Sequence, residues 1–175
     1  MKKIVTILGI HIGTNSTAAL LRGSKVIACA SEERFVRKKN IITYPKNAVD
    51  FCLKEEDIKI SDIDVIAIPS LVNPFDHYLV DHDRFGIDDH IQEQSDYWYK
   101  TIYEGEKITF LDALEDKIIP ERLDDVFKEN FNVPNFRNGE WRKYLVKKHL
   151  GVEAEKKVKF YHHHRTHYYY GLYSG

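Results

Sequence analysis

The chain has 175 residues, enough for one ordinary domain, and 43% hydrophobic with 13% aromatic side chains supplies a core. Its 26 Lys and Arg against 27 Asp and Glu leave a formal charge of −1, so no electrostatic footprint points to nucleic acid or an anionic membrane, and small molecules are the expected partners. No apolar run approaches the roughly 20 residues of a membrane span, and Met1-Lys2-Lys3 leads into a strand-like run rather than a signal peptide, which reads as cytoplasmic.

Residues 4–10, 17–21 and 25–30 are short runs rich in Val, Ile, Leu and Ala, separated by turn residues, the pattern of three strands. The link Arg22-Gly23-Ser24 suits a tight hairpin, so the second and third strands are expected as antiparallel neighbours. Pro45 stands where a helix starts, and Ala48, Val49, Cys52 and Leu53 recur at helical spacing before Lys54-Glu55-Glu56. The apolar run 65–68, stopped by Pro69, predicts a buried strand. Cys29 and Cys52 form neither a CxxC spacing nor a disulfide framework, and both read as buried thiols.

From residue 71 to 151 the chain turns polar and aromatic, with helices expected at 89–104, 110–130 and 140–150, the last stopped by Gly151. Residues 158–161 are strand-like again. The fold class is therefore α/β, with a mixed sheet that begins with antiparallel strands, in one domain over 1–175 whose stretch 71–151 is a helical elaboration rather than a second domain.

Two stretches carry chemistry. Gly13-Thr14-Asn15-Ser16 joins the first two strands; the glycine lets backbone N–H groups approach an anion, and three polar side chains add donors, as in a phosphate-holding hairpin. The same four residues also make an ordinary turn. Near the end, "FYHHHRTHYYYG" places four of the nine histidines between positions 162 and 167, where a strand ends and a helix begins. His163 and His167, at i and i+4, share a helical face and can converge on one divalent metal, with His164 as a neighbour. The alternative is a hydrogen-bonded aromatic cluster with Tyr161, Tyr168, Tyr169 and Tyr170. A metal needs further ligands, and spacing selects none among Asp81, Asp83 and Asp89.

Gly9-x-x-x-Gly13-Thr14-x-Ser16 resembles the phosphate loop of the actin, sugar-kinase and heat-shock ATPase superfamily, in which the middle position is usually Asp. Here it is His11, a poor magnesium ligand, which argues against ATP hydrolysis or sugar phosphorylation. Residues 31–53, "SEERFVRKKNIITYPKNAVDFCL", resemble the Glu-Glu-Arg-Phe-x-Arg-x-Lys segment and following Pro-initiated helix of the O-carbamoyltransferases that modify nodulation factors and antibiotics. The closing His-His-x-x-His is the third feature of that resemblance.

What the resemblance implies is an actin-like ATPase (ribonuclease H-like) subdomain, similar to that of the tRNA threonylcarbamoyl-transferases. The implied activity moves a carbamoyl group from carbamoyl phosphate, through a carbamoyl-adenylate made with ATP, to a substrate hydroxyl. His163 and His167 would hold iron, manganese or zinc, completed in the family by an aspartate beyond this chain. Gly13, Thr14 and Ser16 would hold nucleotide phosphates, with Arg34 or Arg37 meeting an oxyanion; both arginines read equally well as solvated surface charges, and Glu32 and Glu33 read as structural. The family carries His-Asp or His-Asn where this chain has Thr14-Asn15, which leaves Asn15 and His11 as the catalytic candidates, although His11 is expected to point along its strand. Family enzymes are longer, so the chain reads as an N-terminal part whose turnover needs a missing C-terminal half. Two other readings are a non-catalytic binding or assembly domain, forming a homodimer through its Tyr- and His-rich end, and an actin-like ATPase or kinase.

Overall fold

The computed structural model describes residues 3–69, 76–80, 82, 85–122 and 139–173. The chain divides into two compact units, Met1–Asn73 with Pro134–Gly175, and Pro74–Val133.

In the first unit, β1 (Thr6–His11), β2 (Thr17–Arg22), β3 (Lys25–Ser31), β4 (Val65–Ile68) and β5 (Val158–Phe160) form one sheet in the order β3-β2-β1-β4-β5. β2 runs antiparallel to both β1 and β3, whereas β4 is parallel to both β1 and β5. This is the expected fold class: a mixed sheet of the actin-like, ribonuclease H-like kind that opens with antiparallel strands. Asn15 and Gly23, both at φ 61, turn the two hairpins; glycine takes that left-handed conformation freely, and asparagine tolerates it.

Alternation decides which face is covered. Leu8 and Ile10 of β1, and Ala18 and Leu20 of β2, are buried, while Ile7, Gly9 and His11 on the opposite face of β1 stay partly open. Helix Lys46–Lys54 packs on β2 and β3 and buries Ala48, Val49 and Cys52 completely. Each fully buried Leu or Ile of this core contributes about 1.5–3 kcal/mol. Helix Glu140–Leu150 buries Trp141, Arg142, Leu145 and Val146 and stops at Gly151, whose φ of 89 suits glycine.

Cys29 departs from expectation: it is exposed, because β3 is one of the sheet's two edge strands and alternation turns Cys29 away from buried Ala28. Cys52 is buried, as expected, with its thiol donating to the Ala18 carbonyl.

The second unit holds short helices Asp76–Leu79, Ile87–Gln92 and Phe110–Ala113, and a π-helix, Glu93–Glu104. Its small core is Val80, Phe110 and Leu114, with Phe85, Tyr97, Leu111 and Ile118 against it. The helix expected over 110–130 is interrupted in the structure. Phe110–Ala113 is capped reciprocally by Thr109 and Asp112, a 3-10 turn Glu115–Lys117 follows, and Ile118 bridges Val80 in extended conformation. Helix resumes at 120–122, where Pro120, whose missing N–H is tolerated at a helix start but not inside one, marks the break; residues 123–130 lie outside the described residues. The sequence reading placed helix Glu140–Leu150 in the elaboration, whereas the unit boundary puts it with the sheet.

Candidate functional site

β1, β4 and β5 are parallel, so their carboxyl ends, His11, Ile68 and Phe160, open at one edge of the sheet, where α/β folds bind ligands. The Tyr161 N–H donates to the Ile68 carbonyl at 2.9 Å, and helix His163–Tyr173 begins just beyond. His11, Thr17, Tyr161 and Thr166 line a groove of about 440 Å³ floored by Gly9 and Ala67.

His11 turns back to the loop instead of pointing along its strand. Its Nε2–H donates to the Thr14 carbonyl at 3.2 Å, which leaves the lone pair on Nδ1. Burial, the largest cause, lowers its pKa below 6.5; the Thr14 carbonyl opposes the shift, and the nearby charges of Arg142 and His163 add to it. The imidazole is therefore neutral at pH 7.

Arg142 is fully buried. Its Nε–H donates to the Ile12 carbonyl at 3.2 Å, and its guanidinium carbon stands 4.2 Å from the centre of the Trp141 ring. Both terminal nitrogens are buried without a hydrogen-bond partner among the described residues. Burial lowers its pKa to about 10, so the group remains a cation at neutral pH. A buried cation with two unanswered donors is equipped to take an oxyanion in bidentate fashion. Sequence reasoning missed it, although a signal exists: Trp141, Arg142, Leu145 and Val146 form the inward stripe of their helix, and one of the four is charged.

The Nε2 atoms of His163 and His167 lie 3.0 Å apart, with ring centres at 4.4 Å and planes at 84°. The pair thus converges on one side of its helix, close enough to His11 for His163 to influence its charge. Two imidazole nitrogens at that separation suit iron, manganese or zinc as two members of a larger ligand set. The neighbouring tyrosines do not bury themselves around the pair: Tyr168 is 67% exposed and Tyr170 74%.

The hairpin divides its labour. The Ser16 hydroxyl is buried and lies 2.8 Å from the Gly13 carbonyl, 3.1 Å from that of Ile41 and 2.7 Å from that of Thr43, while accepting the Thr43 N–H at 3.0 Å. Ser16 therefore ties the loop to residues 41–43, and Thr14 and Asn15 are the members left exposed. Arg34 and Arg37 are exposed on and after the turn Glu33–Val36, and no contact among the described residues joins either to His11 or the histidine pair. Buried Glu32 accepts from the N–H groups of Asn47 and Ala48, at 3.2 and 2.9 Å, anchoring the N-terminus of helix Lys46–Lys54, and Glu33 pairs with Lys39 at 2.9 Å. Asp89 is engaged within the second unit by Lys117 and the Gly86 N–H, both at 2.8 Å. Asp81 and Asp83 lie outside the described residues.

An actin-like α/β subdomain whose open strand edge gathers three imidazoles and a buried guanidinium defines the class. The chain belongs to the carbamoyltransferase N-terminus family, whose model matches residues 6–171. An uncharacterized protein of Synechocystis is 36% identical over 52 residues, covering 30% of this chain and 8% of that protein. An uncharacterized protein of Methanocaldococcus jannaschii is 36% identical over 62 residues, covering 35% of this chain and 12% of that protein. The matched stretches therefore span only a small part of these relatives. No helix among the described residues is long and apolar enough to cross a membrane.

Proposed function

We propose that this chain is the N-terminal, phosphate- and metal-facing part of a cytoplasmic carbamoyltransferase, which moves a carbamoyl group from carbamoyl phosphate, through a carbamoyl-adenylate made with ATP, to a substrate hydroxyl. The family match over residues 6–171 carries the reading. Arg142 offers two terminal nitrogens, without a partner among the described residues, to a phosphate or carbamoyl oxyanion, and the exposed Thr14 and Asn15 side chains, with the backbone after Gly13, give further donors at the loop. Arg34 and Arg37 keep exposed guanidinium groups for a phosphate that reaches their turn. Neutral His11 holds a lone pair on Nδ1, suited to accept a proton beside the developing anion. His163 and His167 are the residues to hold a divalent metal, which when bound would supply Lewis-acid charge beside the phosphate oxygens. The small share of the relatives that is matched supports assigning the acceptor site and full turnover to a larger assembly.

Equilibrium dialysis of the chain against ATP and against carbamoyl phosphate tests this reading. Binding of either ligand, weakened about tenfold or more by Arg142→Met, is the expected result; a folded chain that retains neither ligand overturns it.

A second reading, an assembly domain that forms a homodimer, draws on exposed Tyr168, Tyr170 and Leu172 in helix His163–Tyr173. A sedimentation profile showing a monomer that binds ATP removes it.

A further inference from the structure

We infer that the second unit carries a divalent transition-metal site of its own, built from His82, His90 and Glu93, with zinc as the fitting ion. The three side chains each offer a ligand atom, and these atoms all lie within 4.8 Å of one another. Glu93 Oε2 stands 3.2 Å from His82 Nε2 and 3.6 Å from His90 Nδ1. Two ligands bound tetrahedrally to zinc at its usual bond lengths are about 3.3 Å apart, so these separations are already those of two edges of a zinc tetrahedron.

The local structure holds the three groups in place. His90 and Glu93 are i and i+3, on one face where helix Ile87–Gln92 runs into the π-helix. His82 precedes that helix, and the Phe85 N–H donates to the His82 carbonyl at 3.3 Å. Phe85 packs its ring 4.5 Å from that of His82 and 5.4 Å from that of His90, and itself rests on the core of Val80, Phe110 and Leu114. Glu93 is only 6% exposed, and the Trp98 Nε1–H donates to its Oε1 at 3.1 Å, which turns Oε2 toward the imidazoles. A hydrogen bond from outside that orients a ligating carboxylate is a recurrent device of metal sites.

The donor set selects the ion. Two imidazole nitrogens and one carboxylate oxygen disfavour magnesium and calcium, which take oxygen ligands, and suit zinc or a neighbouring divalent transition metal. Three protein ligands leave a fourth position for water. His90, partly open to solvent, gives the ion a way in.

The test must separate this site from His163 and His167, so zinc is titrated into the full chain carrying His163→Ala and His167→Ala. About one equivalent is expected to bind, and cobalt(II) in its place is expected to give a visible absorption band of low coordination number. Adding His90→Ala, at a side chain 53% exposed, is expected to leave the circular dichroism unchanged, abolish the band and weaken zinc binding at least tenfold. Glu93→Gln is expected to do the same, and Trp98→Phe to weaken binding about tenfold by freeing the carboxylate. No zinc uptake by the double-alanine chain, or equal uptake after His90→Ala with unchanged circular dichroism, overturns the assignment. No readout involves a nucleotide or carbamoyl phosphate, so the result is independent of the proposed transfer activity.

Discussion

Arg142 donates its Nε–H to the carbonyl of Ile12 at 3.2 Å, across 130 positions of sequence. Ile12 sits between His11 and Gly13, so a single cation fastens helix Glu140–Leu150 to the start of the phosphate-type hairpin and still keeps two donor nitrogens without a partner among the described residues. Arg142→Met removes one hydrogen bond and also a costly buried charge, effects of opposite sign. Folding stability is expected to change by no more than about 2 kcal/mol in urea denaturation. Oxyanion binding is expected to fall about tenfold or more, and Arg142→Lys, which keeps charge but not the planar fork, to recover only part of it. A large loss of stability with ligand binding intact would make Arg142 a structural residue.

Replacing His163 and His167 together by alanine is expected to lower the iron, manganese or zinc content of the purified chain by about one equivalent in elemental analysis. The pair His162→Ala and His164→Ala is the control, because no contact between their ring nitrogens matches the 3.0 Å approach of His163 to His167. Unchanged metal in the first double variant removes those two ligands from the site.

Ser16→Ala is expected to destabilise the chain by about 1–3 kcal/mol, since it strips the Thr43 N–H of its acceptor and loosens three carbonyls around a buried position. Thr14→Ala, on an exposed side chain, is expected to stay within about 0.5 kcal/mol of the parent. Matched urea titrations of the two variants make the comparison.

The two thiols are expected to differ sharply toward an aromatic disulfide reagent at pH 8. Cys29 is exposed and reacts in the native chain; Cys52, whose pKa burial pushes up to about 11, reacts only after unfolding. The same shift carries a stability consequence: the unfolded thiol ionises first, so stability falls as pH rises from about 9 toward 11. Cys52→Ala is expected to flatten that alkaline decline.

Strands and helix Glu140–Leu150 were legible because their apolar spacing repeats locally, as Leu8, Ile10 and Trp141, Leu145 show. The fate of residues 110–118 was not, since the bridge of Ile118 to Val80 is a long-range contact that no local spacing announces. Exposure of Cys29 depended on β3 being an edge strand, again a property of the assembled sheet. The approach of His163 to His167 follows from their i, i+4 spacing, whereas Arg142 acquires meaning only when its helix meets Ile12. The role of Ser16 was hidden likewise, because residues 41–43 that surround its hydroxyl are remote in sequence.

Pairing of β4 with β5 sets Ile66 against Val158. Closing a connection of about ninety residues costs about 4 kcal/mol of chain entropy beyond a constant. The compact unit Pro74–Val133 lies wholly inside that connection, so a unit that folds early shortens the tether the pairing must close. On the ribosome, the antiparallel ribbon and β4 emerge long before the histidines that follow β5. The edge that gathers His11 with His163 is therefore assembled late, and a nascent chain paused in the insert has a nearly finished sheet with no site.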